Sequence, residues 1–162
     1  MITAEDILNS KSGDLVEVPS SATVRDAVRA MAQRNVGSVL IRDGQTLLGI
    51  YTERDLLRHS AQDGFNATTA PIREYMVQKL VYTPHSDTVY ELMDKLLGRR
   101  HRRLLIQRDG QFIGLLTAGD VMRAFMHVKQ RELEGLHALV SWDYYEEWRW
   151  TRESGKVGPS SV

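Results

Sequence analysis

The sequence predicts a mixed α/β (α+β) fold: two tandem copies of one strand–helix–strand–strand–helix unit, packed by pseudo-twofold symmetry, with a further helix at the C-terminal end. Three observations predict it. The chain repeats itself at an offset of 65 residues. Within each copy, apolar residues alternate between helical spacing and short extended runs. Each copy, at ~55 residues, is marginal on its own, so the two should pack sheet to sheet into a shared core.

The repeat is read from residues in order. Thr23-Val24 returns as Thr88-Val89, and at the same offset Pro19 falls on Pro84, Gly49 on Gly114, Thr52 on Thr117 and Asp55 on Asp120. The Asp43-Gly44-Gln45 turn returns as Asp109-Gly110-Gln111, one position late, which implies a compensated insertion inside the turn. The copies span about residues 5–60 and 70–127, joined by a linker over 61–69.

Each copy begins with a short extended run stopped by proline, Leu15–Val18 and Leu80–Thr83. Next, Val24, Ala27, Val28 and Met31 sit at helical spacing behind Thr23 as N-cap, matched by Val89, Leu92, Met93 and Leu96 behind Asp87-Thr88. Two strands joined by a turn follow, Val36–Ile41 with Leu47–Tyr51 and Leu104–Ile106 with Phe112–Leu116. A helix opening at threonine closes each copy, Thr52 to His59 and Thr117 to Met126. Beyond it, Leu133, Leu136, Val140, Tyr144 and Trp148 mark an amphipathic helix over about 128–150, which carries all three tryptophans. That helix either contacts a second copy or a partner, or packs on its own module. Residues 151–162 read as a flexible end.

Composition narrows the function. The 162 residues include no cysteine, which removes disulfide scaffolds, zinc ribbons, iron–sulfur clusters and cysteine nucleophiles. Lys+Arg and Asp+Glu both number 21, and this balance argues against a dedicated nucleic-acid binder, though not against a local basic patch. No apolar run approaches the ~20 residues of a membrane span and the first residues do not form a signal peptide, so a cytoplasmic location without membrane contact is expected. Phosphate-loop, dinucleotide-fold and zinc-protease motifs are absent, and the five histidines share no ligand spacing. Neither a catalytic residue nor a metal ligand is expected.

The repeated units resemble the cystathionine-β-synthase (CBS) domain, and the chain as a whole resembles a stand-alone bacterial CBS pair, or Bateman module. The resemblance rests on Thr23-Val24-x-x-Ala27, Val36–Ile41, Gly49-Ile50-Tyr51-Thr52-Glu53-Arg54-Asp55, Arg102–Ile106 and Gly114-Leu115-Leu116-Thr117-Ala118-Gly119-Asp120. It covers about residues 5–127 and leaves no room for a catalytic domain. It implies an adenine-containing ligand between the repeats (AMP, or else ATP, NAD or S-adenosylmethionine) and assembly as a homodimer.

The Gly-x-x-Thr-x-x-Asp element has its own logic. Glycine at a strand end admits close approach, a threonine opening a helix lies beside free N–H groups that suit phosphate, and aspartate one turn on can accept both ribose hydroxyls. The same pattern is also an ordinary capping box. The resemblance further implies two pockets: Thr52 and Asp55 with Val81, Arg102 and Arg103, and Thr117 and Asp120 with Val16, Val36, Gly37 and Ser38. The valines are lids for adenine or else plain core. The arginines bias the first pocket toward the more phosphorylated ligand. The run Arg99-Arg100-His101-Arg102-Arg103 can equally be a solvated helix end or a patch for nucleic acid or protein. Three functions remain open: a regulatory nucleotide sensor, a scaffold with empty clefts, and a basic-patch nucleic-acid binder.

Overall fold

Two series of six elements run in the same order through the chain. The first is α1 (Ala4–Ser10), β1 (Glu17–Pro19), α2 (Val24–Arg34), β2 (Ser38–Asp43), β3 (Thr46–Thr52) and α3 (Glu53–Ser60). The second is α4 (Ile72–Tyr75), β4 (Tyr82–Pro84), α5 (Val89–Arg99), β5 (Arg103–Arg108), β6 (Gln111–Thr117) and α6 (Ala118–Glu153). The structure, a computed structural model, describes residues 1–11, 15–99 and 102–153, with side chains described through 137 except at 99.

Each half builds a three-stranded sheet, β1-β2-β3 or β4-β5-β6, with a parallel outer pair and an antiparallel hairpin. Pro19 and Pro84 end the edge strands, where a missing N–H breaks no ladder. The hairpins match residue for residue: Ser38 pairs with Thr52 as Arg103 pairs with Thr117, and each ladder shifts at one point, after Ile41 and after Ile106. The insertion expected in the second turn is therefore not there. Both loops hold two residues. The Asp-Gly pair moves by one because the loops meet the need for positive φ differently, Gly44 at 56° in the first and Asp109 and Gly110 at 50° and 77° in the second.

Capping boxes open five helices. Thr3 with Asp6, Thr23 with Asp26, Thr52 with Asp55, Thr88 with Glu91 and Thr117 with Asp120 each exchange side-chain and backbone bonds.

The leading helices α1 and α4 are an addition to the expected order, and they change places. Ala4 and Ile7 are buried with Val89, Leu92, Leu116 and Val121 of the second half. Ile72 is buried with Val24, Ala27, Val39 and Tyr51 of the first. Matching backbone bonds hold them there: Val89 N–H donates to Ile2 C=O, and Val24 N–H to Ala70 C=O, both at 2.9 Å. Between the two sheets a third cluster forms around Leu40, Leu105 and Leu115.

The two helices expected after Thr117 are one, because no proline interrupts 118–153 and Gly135 is accommodated within the helix. Tyr90 on α5 donates to Glu132, and Lys129 lies over the Tyr90 and Phe125 rings, fastening the middle of α6. Leu133 and Leu136 are exposed beyond this point. The side chains of Val140, Tyr144 and the three tryptophans lie outside the described residues.

Candidate functional site: the cleft between the repeats

A cavity of about 510 Å³ opens where α3 of the first half meets β4 and β5 of the second. It brings together Thr52, Asp55, Val81, Arg102 and Arg103, the set expected for one pocket. Asp55 is buried, at 9% exposure, yet all its side-chain hydrogen bonds among the described residues go to one oxygen. Thr52 N–H and Oγ1–H donate to Asp55 Oδ2 at 3.0 and 2.7 Å, which leaves Oδ1 for another donor. Capping and ligand contact are thus compatible at Asp55. The Thr52 hydroxyl is engaged twice, since it also accepts from Asp55 N–H.

Val81 is half exposed in the cleft wall, beside Ile50, Val77 and Leu80. Val16 and Val36 instead pack on the first core, whereas Val81 is half exposed to the cleft.

Arg103 crosses between the repeats. Its Nη2 donates to Gly37 C=O at 2.6 Å, and a Cβ at residue 37 would stand 2.7 Å from that nitrogen and 2.8 Å from a Glu53 carboxylate oxygen. Gly37, expected beside Thr117 and Asp120, therefore lines the Thr52 cleft. Burial pulls the Arg103 guanidinium below its ordinary pKa while Glu53 and Asp55 oppose this; an arginine stays charged regardless.

The cleft also holds residues not anticipated, Arg54, Arg58, Lys79 and Lys95. With Arg102 and Arg103 they make six cationic side chains against two carboxylates, Glu53 and Asp55. Lys79 could have been found by matching it to Lys11, but three extra residues, 12–14, hide that match from the 65-residue offset. Arg100 and His101 of the basic run lie outside the described residues.

The other expected pocket looks different. Neither Thr117 nor Asp120 lines the 510 Å³ cavity, nor do Val16, Val36 and Ser38. Asp120, at 8% exposure, takes Lys11 Nζ on Oδ2 at 3.0 Å and Arg123 Nη2 on Oδ1 at 2.6 Å. Burial works to raise its pKa, but bonds from Thr117 and Lys11 outweigh it and hold the carboxyl below the usual value.

The geometry is that of a two-repeat module with a cation-lined cleft at the repeat boundary. The profile of the CBS domain matches residues 4–62 and 72–127, and the chain belongs to the CBS domain family. The mitochondrial CBS domain-containing protein CBSX3 of Arabidopsis thaliana is 32% identical over 151 residues, 88% of this chain and 73% of that one. The CBS-domain protein ATU1752 of Agrobacterium tumefaciens has a crystal structure similar to this one, with TM-score 0.68 and 28% identity over 75% of this chain and 97% of that one. CBSX2, crystallised in complex with AMP, is similar with TM-score 0.64 and 25% identity, covering 80% of this chain and 99% of its own. No helix among the described residues is long and apolar enough to cross a membrane.

Proposed function

We propose that this CBS pair is a non-catalytic regulatory module that binds an adenine nucleotide in the Thr52/Asp55 cleft. The observation that carries this reading is a buried carboxylate with an unused oxygen, set in a cleft where cations outnumber anions. A carboxylate accepts hydrogen bonds only, which suits ribose hydroxyls. Ile50, Val77 and Val81 offer an apolar wall to a base. Because the Thr52 hydroxyl is engaged in its cap, the phosphate falls to Arg102, Arg103, Lys79 and Arg58. A charge-assisted bond of this kind contributes about 1.5–3 kcal/mol.

The AMP complex of CBSX2 supports a ligand of that size, and about 510 Å³ lies within the usual range for small-molecule sites. Among adenosine compounds the cations favour AMP, ATP or NAD over S-adenosylmethionine, whose sulfonium they repel. Binding alters the placement of one repeat against the other only as far as the ligand discriminates between placements. A homodimer would transmit the change. Leu57, Leu97 and Met126 stand more than half exposed on α3, α5 and α6, an apolar surface of the kind a second copy covers. The exposed start of the α6 stripe, Leu133 and Leu136, suits a protein partner.

Thermal unfolding with AMP, ATP, NAD, S-adenosylmethionine and GTP tests the reading. A rise in midpoint with the adenine nucleotides and not with GTP supports it. No rise on ligand-free protein moves the assignment to a scaffold with empty clefts.

A further inference from the structure

Both clefts contain the same three side chains, in opposite arrangements. Leu8 sits over Gly114, where a Cβ would come within 2.7 Å of it, and Met76 sits over Gly49, where a Cβ would come within 2.6 Å. Leu8 and Met76 are thus equivalent, and three residues further on, so are Lys11 and Lys79. Asp120 matches Asp55, and Arg123 matches Arg58. In the second half the trio is closed on itself: Lys11 and Arg123 each hold one oxygen of Asp120. Lys11 Nζ also donates to the Leu115 carbonyl at 3.1 Å. In the first half Lys79, Asp55 and Arg58 line the open cavity, and among the described residues no ion pair joins them.

We propose that Lys11 is a built-in occupant of the Thr117/Asp120 cleft, so that the chain takes one nucleotide rather than two, and that Lys79 is the freed counterpart that meets the ligand's phosphate. The closed trio satisfies Asp120 on both oxygens, and a ribose entering there must displace a cation from a buried carboxylate. Lys79 is exposed where Lys11 is only a quarter exposed. The count of ligands rests on the nucleotide reading above; the seat of Lys11 does not.

Two measurements on the full chain test this. The first needs no ligand. Acetic anhydride labelling, followed by mass spectrometry, modifies Lys11 several-fold more slowly than Lys79 in the native protein. Asp120→Asn, which keeps a capping oxygen, brings Lys11 up to the Lys79 rate. Equal rates in the unaltered protein overturn the proposal.

The second is calorimetric titration with AMP. The unaltered protein takes one equivalent per chain, and the double variant Lys11→Ala, Arg123→Ala, which removes the cation from each oxygen of Asp120, takes two. Lys79→Ala keeps one but binds at least about tenfold more weakly, the loss of one charge-assisted bond. Two equivalents in the unaltered protein, or one in a Lys11→Ala, Arg123→Ala variant shown by circular dichroism to be folded, overturn it. Lys11→Gln with Arg123→Gln serves as the second variant and gives the same count. Slow Lys11 labelling with no AMP bound by any variant supports the lysine seat and overturns the nucleotide reading instead.

Discussion

The two hairpins keep the same register through every pair, and the same two glycines receive the neighbouring Leu8 and Met76, while the clefts beside them have diverged. One is open, rich in cations and spanned by Arg103; in the other, Lys11 and Arg123 close on Asp120. Backbone symmetry is set by turn chemistry and by glycine seats, which respond to single atoms. The sites respond to loop length and to a few charged side chains, which the backbone tolerates freely. A duplicated fold can therefore specialise one of its two clefts without disturbing either core.

The largest effects probe the symmetric part. Ile72 in the first core and Ile7 in the second are both buried. Ile72→Ala and Ile7→Ala should each cost about 2–5 kcal/mol in urea unfolding. A cost well under 1 kcal/mol for either would show that its leading helix does not seat in the opposite half.

The next effect separates the clefts. Asp55→Ala and Asp120→Ala each remove the N3 half of a capping box, and Asp120→Ala also leaves Lys11 and Arg123 without their carboxylate. Only Asp55→Ala should also abolish the nucleotide-dependent stabilisation, about 2.7 kcal/mol at ligand a hundredfold over Kd. Equal loss in both variants, read by calorimetry, erases the distinction between the clefts.

Gly37→Ala is milder. The added methyl meets Arg103 and Glu53 and pushes the guanidinium aside, so AMP affinity should fall about tenfold, or about 1.4 kcal/mol, with little change in fold. Unchanged affinity would remove Arg103 from the phosphate site.

The smallest effect is in acid. Asp120 titrates below its unfolded value near 3.8, so its contribution is present above that pH and is lost as pH falls through the lower folded value. Lys11→Met should flatten this acid limb of stability. An identical limb in the variant would mean that Lys11 does not hold the carboxylate.

Much of this fold is legible because its signals are local. Thr23, Thr52, Thr88 and Thr117 announce helix starts through bonds made three residues away, and the Asp-Gly pairs announce turns. The leading helices are not legible in this way. α1 has seven residues and α4 four, too few for periodicity, and what holds them is contact with the opposite half. At the site, Thr52 and Asp55 come from a repeated motif, while the place of Val81, Arg102 and Arg103 beside them was legible only through the family resemblance. Lys79 and Arg58 belong to no motif that the resemblance named. Gly37 lies at the Thr52 cleft because the hairpin register pairs Ser38 with Thr52 and Glu53 N–H donates to Gly37 C=O, a neighbourhood that the family-based pairing of pockets leaves out.

The exchange of leading helices also sets an order of assembly. Thr3 pairs with Thr88, and Val89 donates to Ile2, so residues 2 and 3 wait for a segment more than eighty positions later. The first core is in turn incomplete until Ile72 arrives. During synthesis, at roughly 5–20 residues per second, the first core cannot close when its own sheet is finished at Thr52, whereas the second finds α1 already made. Such distant closures slow folding. The segment around Ile2–Ile7 is placed only after residues some eighty positions later have been made.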